Sequence, residues 1–190
     1  MTISPPQPMT LAAFLQAPYI EDSPAWEYLN GRPIQKPMPQ GQHSTLQSEL
    51  VSAINQVGKR SKVAYAFPER RCTFTTKGSI VPDIAVIRWA SIPRTETGEV
   101  ANLFERSPDW TIEILSPAQS PNRVAAKIMA CLQHGCELGW LIDPGDRSVM
   151  VFRPKQEPAF YRDDQTLPVL NGLDLFLTTD KLFSWLMLEL

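Results

Sequence analysis

Apolar residues recur along the chain with two different periods, and each period names an element. Over HSTLQSELVSAINQVG (43–58) they fall at Leu46, Leu50, Val51, Ile54 and Val57. This is the spacing of a helix with one buried face, and Gly58 reads as its stop. SPNRVAAKIMACLQHG (120–135) repeats the pattern with Val124, Ile128, Cys131 and Leu132 as its stripe. Ser120 reads as its cap, Pro121 fits the first turn and Gly135 closes it. Thr10 opens a short helix over MTLAAFLQ. Thr179 or Asp180 caps a terminal helix whose apolar face is Leu182, Phe183, Leu186 and Met187. Between the helices lie short apolar runs bounded by turn residues, the signature of strands. AWEYLNGRPIQKP is a hairpin turning at Asn30-Gly31. KVAYAFPERRCTFTT is one bent strand or two consecutive ones, and SIVPDIAVIRW and DWTIEILSP are the next two. LGWLID and SVMVFRP flank a PGD turn, and two further strands lie near LPVL and LDLFL. SIPRTETGEVANLFERSP is polar, carries proline and glycine, and reads as a flexible loop. Strands in the middle with helices between and around them predict an α/β or α+β fold with a central mixed β-sheet flanked by helices. At 190 residues this is one domain, 1–190, with residues 1–20 as an N-terminal arm and short helix.

Two carboxylates break the apolar pattern. In IVPDIAVI (80–87), Asp83 shares a face with Val81, Ala85 and Ile87 if side chains alternate. In TIEIL (111–115), Glu113 lies between Ile112 and Ile114. Burying a lone ionised carboxylate is costly. Either acid is accounted for singly by an arginine partner or a helix cap, and Asp83, which follows Pro82, also fits the entrance of a strand. A divalent cation shared between neighbouring strands would neutralise both together, and oxygen ligands favour Mg²⁺, Mn²⁺ or Ca²⁺ over zinc. Lys127 adds a third charge at the edge of the interior. At 100° per residue it lies about 60° from Val124 and about 40° from Cys131 on the helical wheel. It borders the buried stripe, where a lysine either snorkels outward or reaches in toward the sheet.

Composition narrows the setting. No stretch approaches the length of a membrane helix, and MTISPPQPMT has neither the basic start nor the apolar middle of a secretory signal. Cys72, Cys131 and Cys136 form an odd set without a CxxC pair, which predicts reduced thiols and a cytoplasmic location. The net charge is −2, but six basic residues between Gly58 and Lys77 (Lys59, Arg60, Lys62, Arg70, Arg71, Lys77) face one acid, Glu69. Such a region either binds phosphates or is a solvated surface. Two histidines far apart without HExxH argue against a zinc hydrolase. The absence of GxSxG, P-loop and GxGxxG patterns argues against an esterase triad and against nucleotide-cradling folds. The five tryptophans read as core or interface anchors rather than base-stacking platforms.

The ordered set VPDIAVI, TIEILSP, a helix bearing Lys127, and ELGWLIDP resembles the PD-(D/E)xK nuclease superfamily. More narrowly it resembles the restriction-endonuclease-like Uma-two family of endonucleases. The resemblance covers most of the chain, from WEYLNGRPI through PQGQHSTLQSEL onward. The superfamily usually carries its lysine two residues after the second acid. Leu115 stands there in this chain, so the resemblance assigns that part to Lys127 on the helix. Cys131 and Arg123 stand where the family often shows tyrosine and an acid.

The resemblance implies a metal-dependent DNA endonuclease. Asp83 and Glu113 would bind Mg²⁺ or Mn²⁺ with the main-chain carbonyl of Ile114, and Lys127 would orient the attacking water or stabilise the phosphate. Glu27 and His43 follow as accessory candidates. Glu27 also reads as an exposed strand acid, and His43 as a helix-start residue without chemistry. A binding module on a nuclease-like scaffold, without turnover, is the alternative. A homodimer is expected because two symmetric sites suit the two strands of a duplex.

Overall fold

The computed structural model describes residues 9–75, 78–117 and 119–188. The expected arm over residues 1–8 and the basic residue Lys77 lie outside the described residues. The order is α1 (Leu11–Leu15), β1 (Trp26–Leu29), β2 (Arg32–Gln35), α2 (Gly41–Ser61), β3 (Ala64–Pro68), β4 (Cys72–Thr75), β5 (Gly78–Ile80) and β6 (Ile84–Arg88). After a 3-10 turn (Trp89–Ser91) come β7 (Trp110–Ile114), α3 (Pro121–Leu132), β8 (Leu138–Asp143), β9 (Ser148–Phe152), β10 (Ala159–Tyr161) and α4 (Thr179–Ser184). The strands form a six-stranded sheet, β10-β9-β8-β7-β6-β3, and a four-stranded sheet, β2-β1-β5-β4. The larger sheet is mixed: β7 and β8 run parallel and its other pairs are antiparallel. A central mixed sheet flanked by helices is the expected architecture.

One long bent hairpin joins the sheets. Its arms β3 and β6 pair in the large sheet, and their continuations β4 and β5 pair in the small one. The bend falls at Glu69 on one arm and Val81–Asp83 on the other. Glu69 takes a left-handed φ of 44° and donates its N–H to the Asp83 carbonyl at 3.1 Å. Pro82 has no N–H to give a ladder. SIVPDIAVIRW is therefore two strands in two sheets rather than one, and Asp83 sits at the corner, ahead of β6 rather than inside it. The KVAYAFPERRCTFTT stretch is two strands, for the same reason.

The core follows strand alternation. Ile84, Val86, Trp110, Ile112, Ile114, Trp140 and Ile142 face α2 and α4, where Leu46, Leu50, Ile54, Leu182 and Phe183 meet them. On the opposite face Leu141 and Phe152 pack under Val124 and Ile128 of α3. Trp110 and Trp140 are buried and meet edge to face at 4.7 Å, core anchors as expected. Asn55 of α2 pairs both its amide groups with the main chain of Ala66, at 2.8 and 3.0 Å. This occupies open hydrogen-bonding groups on the edge strand β3.

Other expectations change in detail. Gly58 does not stop α2. The helix runs on to Ser61 and ends at Lys62 in the left-handed region. Gly58 is small because a Cβ there would lie 2.3 Å from the Ala64 carbonyl oxygen. Ser120 precedes α3 but makes no side-chain cap bond. Thr178, not Thr179 or Asp180, caps α4 through the Lys181 N–H. Met187 is exposed. The LPVL and LDLFL stretches are not strands. Their leucines pack irregularly into the core, with one isolated bridge between Thr166 and Thr178. The strand at Ala159–Tyr161 was not anticipated, since its residues are largely exposed and show no apolar alternation.

Candidate active site

The corner of the bent hairpin gathers charge. The β6–β7 register pairs Ile84 with Ile112 and Ala85 with Thr111. One step further brings Asp83 opposite Glu113. The Asp83 side chain closes that step, with Oδ2 accepting the Ile114 N–H at 2.7 Å. Glu113 points to the α3 side of the sheet, because Ile112 and Ile114 point to the α2 side. There its Oε2 meets Lys127 Nζ at 2.7 Å. Lys127 is buried, so it reaches inward rather than snorkelling.

Glu27 completes the contact from the small sheet. Both its oxygens accept from Lys127 Nζ, at 2.9 and 3.1 Å, and Oε1 also accepts the Val81 N–H. Glu27 is buried, which rules out the exposed strand acid. His43 lies in the first turn of α2, buried, with Nε2 3.1 Å from Asp83 Oδ2. An ionised Asp83 has no hydrogen to give, so His43 Nε2 carries it. The structure thus brings Glu27, His43, Asp83, Glu113 and Lys127 into one cluster. Ile114 contributes the N–H that holds Asp83.

Two members of the cluster were not anticipated. Lys36, just past the end of β2, donates to Asp83 Oδ1 at 2.6 Å and to the Val81 carbonyl at 2.8 Å. Gln47, one turn after His43, donates to the Asp83 carbonyl at 2.8 Å. Gln47 could have been found from its i+4 spacing to His43. Lys36 carries no such signal in its polar surroundings. The partners of the two acids are therefore lysines, not the arginines considered from sequence.

Burial works against charge throughout this cluster. At Asp83 the Lys36 ammonium and the His43 hydrogen bond outweigh burial and hold the carboxyl well below the usual range. At Glu113 burial prevails over Lys127, aided by the Asp83 and Glu27 charges, and the pKa is pushed up to about 8. Burial also disfavours the Lys127 ammonium, but Glu113 and Glu27 raise its pKa above the ordinary lysine value. Asp83 does the same for Lys36.

The donor set fits a hard divalent cation. Three carboxyl groups stand beside two ammonium groups, and Glu113 Oε1 is buried without a hydrogen-bond partner. A buried acceptor left unpaired is costly, and a cation beside it would satisfy it. Among the described residues no three carboxylate, imidazole or thiol groups already converge as a ligand set. The ammonium groups of Lys36 and Lys127 occupy that ground.

The cluster opens into a cavity of about 310 Å³ between the β1–β2 hairpin and the start of α3, lined among others by Glu27, Leu29, Lys36, Arg123, Val124 and Lys127. The described residues of the basic segment do not form one patch beside it. Lys59 lies sixteen residues from His43 along α2, about 24 Å at 1.5 Å per residue. Arg71 is spent on the carbonyls of Ile20 and Trp26. Cys72, Cys131 and Cys136 are free thiols buried together in the second core cluster, and burial raises the pKa of each. No helix among the described residues is long and apolar enough to cross a membrane.

Comparison with known proteins supports the family expectation. The chain is similar to a crystallised protein from Anabaena variabilis described as "a putative nuclease belonging to DUF820", with 52% identity and a TM-score of 0.91 over 95% of this chain and 100% of that one. The fold is thus restriction-endonuclease-like. No curated protein matches the chain. Residues 11–180 match the Uma2 family, "Putative restriction endonuclease", and the chain belongs to that family.

Proposed function

We propose that this protein is a divalent-metal-dependent endonuclease of the PD-(D/E)xK type that hydrolyses phosphodiester bonds in DNA. One observation carries the reading. Asp83 and Glu113 meet at adjoining strand ends beside Lys127, with three carboxyl groups to two ammonium groups in the cluster and one buried carboxyl oxygen unpaired.

Asp83, Glu113 and the Ile114 carbonyl would hold Mg²⁺ or Mn²⁺. When bound, the ion would polarise the phosphodiester and lower the pKa of a water molecule. Lys127 stays protonated beside Glu113 and Glu27, which raise its pKa against burial. It therefore acts as a fixed positive charge for the phosphate and not as a base. Glu27 is a positioning residue: it anchors Lys127 to the Val81 main chain. His43, Gln47 and the Ile114 N–H fix Asp83 in place.

A non-catalytic binding module has one observation in its favour, the ammonium partner that each acid already has. Cleavage distinguishes the two. Purified protein incubated with Mg²⁺ or Mn²⁺ and DNA should nick or cut it, and Asp83→Ala should reduce the rate at least a hundredfold. Equal products from wild type and variant refute catalysis at this site. A two-fold dimer belongs to the reading only as far as the substrate is a duplex with two strands to cut, and light scattering reports it. A reducing, cytoplasmic setting agrees with the three unpaired thiols.

A further inference from the structure

We propose that the cavity beside the cluster takes an unpaired DNA strand, and that Arg123 grips a backbone phosphate at its mouth. The inference rests on the endonuclease reading and names the form of its substrate. Asp83, Glu113 and Lys127 are 3%, 1% and 3% exposed, so a rigid duplex lying on the surface does not touch them. The cavity is lined by Lys127, Glu27 and Lys36, whose ammonium groups hold Glu113 and Asp83, and its volume of about 310 Å³ is at the small end of ligand sites. It has room on the scale of a nucleotide, not of a double helix. A single strand can lay a base in the cavity directly, whereas a duplex must first unpair that base, which costs a few kcal/mol.

The lining suits one strand. Leu29 and Ile34 on the hairpin give an apolar wall, and Lys36, Arg123 and Lys127 give positive charge. A base can pack on apolar side chains while the backbone follows the cations. Arg123 differs from the two lysines. It is exposed, one helical turn before Lys127, and its guanidinium has no hydrogen-bond or ion-pair partner among the described residues. It also stands in the first turn of α3, which holds no acid. A cation there opposes the helix dipole, and an anion held between the two reverses that cost. The fork of the guanidinium matches a phosphate.

The test is equilibrium binding by fluorescence anisotropy in Ca²⁺, using a short labelled single strand and the blunt duplex of the same sequence, with wild type, Arg123→Gln and Arg123→Lys. The expected result is single-strand binding at least tenfold tighter than duplex binding. Arg123→Gln should lose about five- to tenfold for the single strand and lower its log–log salt slope by about 0.7, the value of one phosphate contact. Arg123→Lys should recover part of both. Duplex binding as tight as single-strand binding overturns the proposal, and so does an unchanged affinity and salt slope in Arg123→Gln. Arg123 is exposed, so the variant folds, and circular dichroism confirms that. Mg²⁺-dependent cleavage of the same oligonucleotides separates the two readings. Selective single-strand binding without cleavage defeats the nuclease and leaves the strand site. Cleavage without single-strand selectivity does the reverse.

Discussion

Lys36 holds Asp83 at 2.6 Å from the far side of the gap between the two sheets. Its ammonium stands on the carboxylate that a divalent ion would use, so lysine and metal compete for Asp83. Removing Lys36 should favour the metal. Lys36→Met should bind Mn²⁺ on the order of tenfold more tightly than wild type, since one nearby positive charge is gone. Calorimetric titration of the two proteins measures this. A weaker or unchanged Mn²⁺ affinity would show that the lysine and the ion do not share ground.

Lys127 ties Glu27 of the small sheet to Glu113 of the large one, at 2.9 and 2.7 Å. Its loss leaves the buried carboxyl groups of Glu27 and Glu113 without the ammonium they share. Lys127→Met should destabilise the metal-free protein by about 3–5 kcal/mol, the cost of breaking a buried pair from one side. Urea denaturation reads this. Added Mg²⁺ should return part of the loss, because a bound cation neutralises the same oxygens.

Glu113 gives a pH signature. Its pKa is about 8 in the folded protein and near 4.5 when unfolded, so the unfolded chain loses this proton first. The metal-free protein is then most stable, as far as this group goes, below pH 4.5. It loses stability as pH rises toward 8. Glu113→Gln lacks the titration. Wild-type stability relative to Glu113→Gln should therefore fall between about pH 4.5 and 8, and saturating Mg²⁺ should flatten the curve. A relative stability that rises over this interval contradicts the assignment.

Gly139 positions the helix that carries Lys127. A Cβ there would lie 2.2 Å from Ile128 Cγ2 and 3.5 Å from Phe152 Cβ, so Gly139→Ala pushes α3 off β8. The expected cost is about 1–3 kcal/mol from overpacking, with a lower cleavage rate because Lys127 moves with its helix. Thermal denaturation and the DNA cleavage assay measure the two effects.

The sequence made the carboxylates visible because they interrupt apolar runs, and Lys127 visible because it borders a buried helical stripe. Glu27 and His43 came only through family resemblance. Nothing local marks Glu27, whose partner Lys127 is a hundred residues away. Lys36 went unseen because a lysine after a polar hairpin strand looks like any surface lysine. Its role arises only when the bent hairpin carries Val81 and Asp83 to it. Pro82 marked Asp83 as a strand entrance, but IVPDIAVI is apolar on both sides of the break, which hid that the two halves belong to two sheets. LPVL and LDLFL misled for a related reason. Burial alone makes residues apolar, and these leucines are buried by packing on the sheet rather than by joining it.

The most direct measurement is a crystal soaked in Mn²⁺ with anomalous diffraction recorded. The account predicts a peak within ligand distance of Asp83 and of Glu113 Oε1, with the Lys36 ammonium withdrawn from Asp83. An ordered pair of carboxylates with no peak between them, and Lys36 still in contact with Asp83 at saturating Mn²⁺, would contradict it.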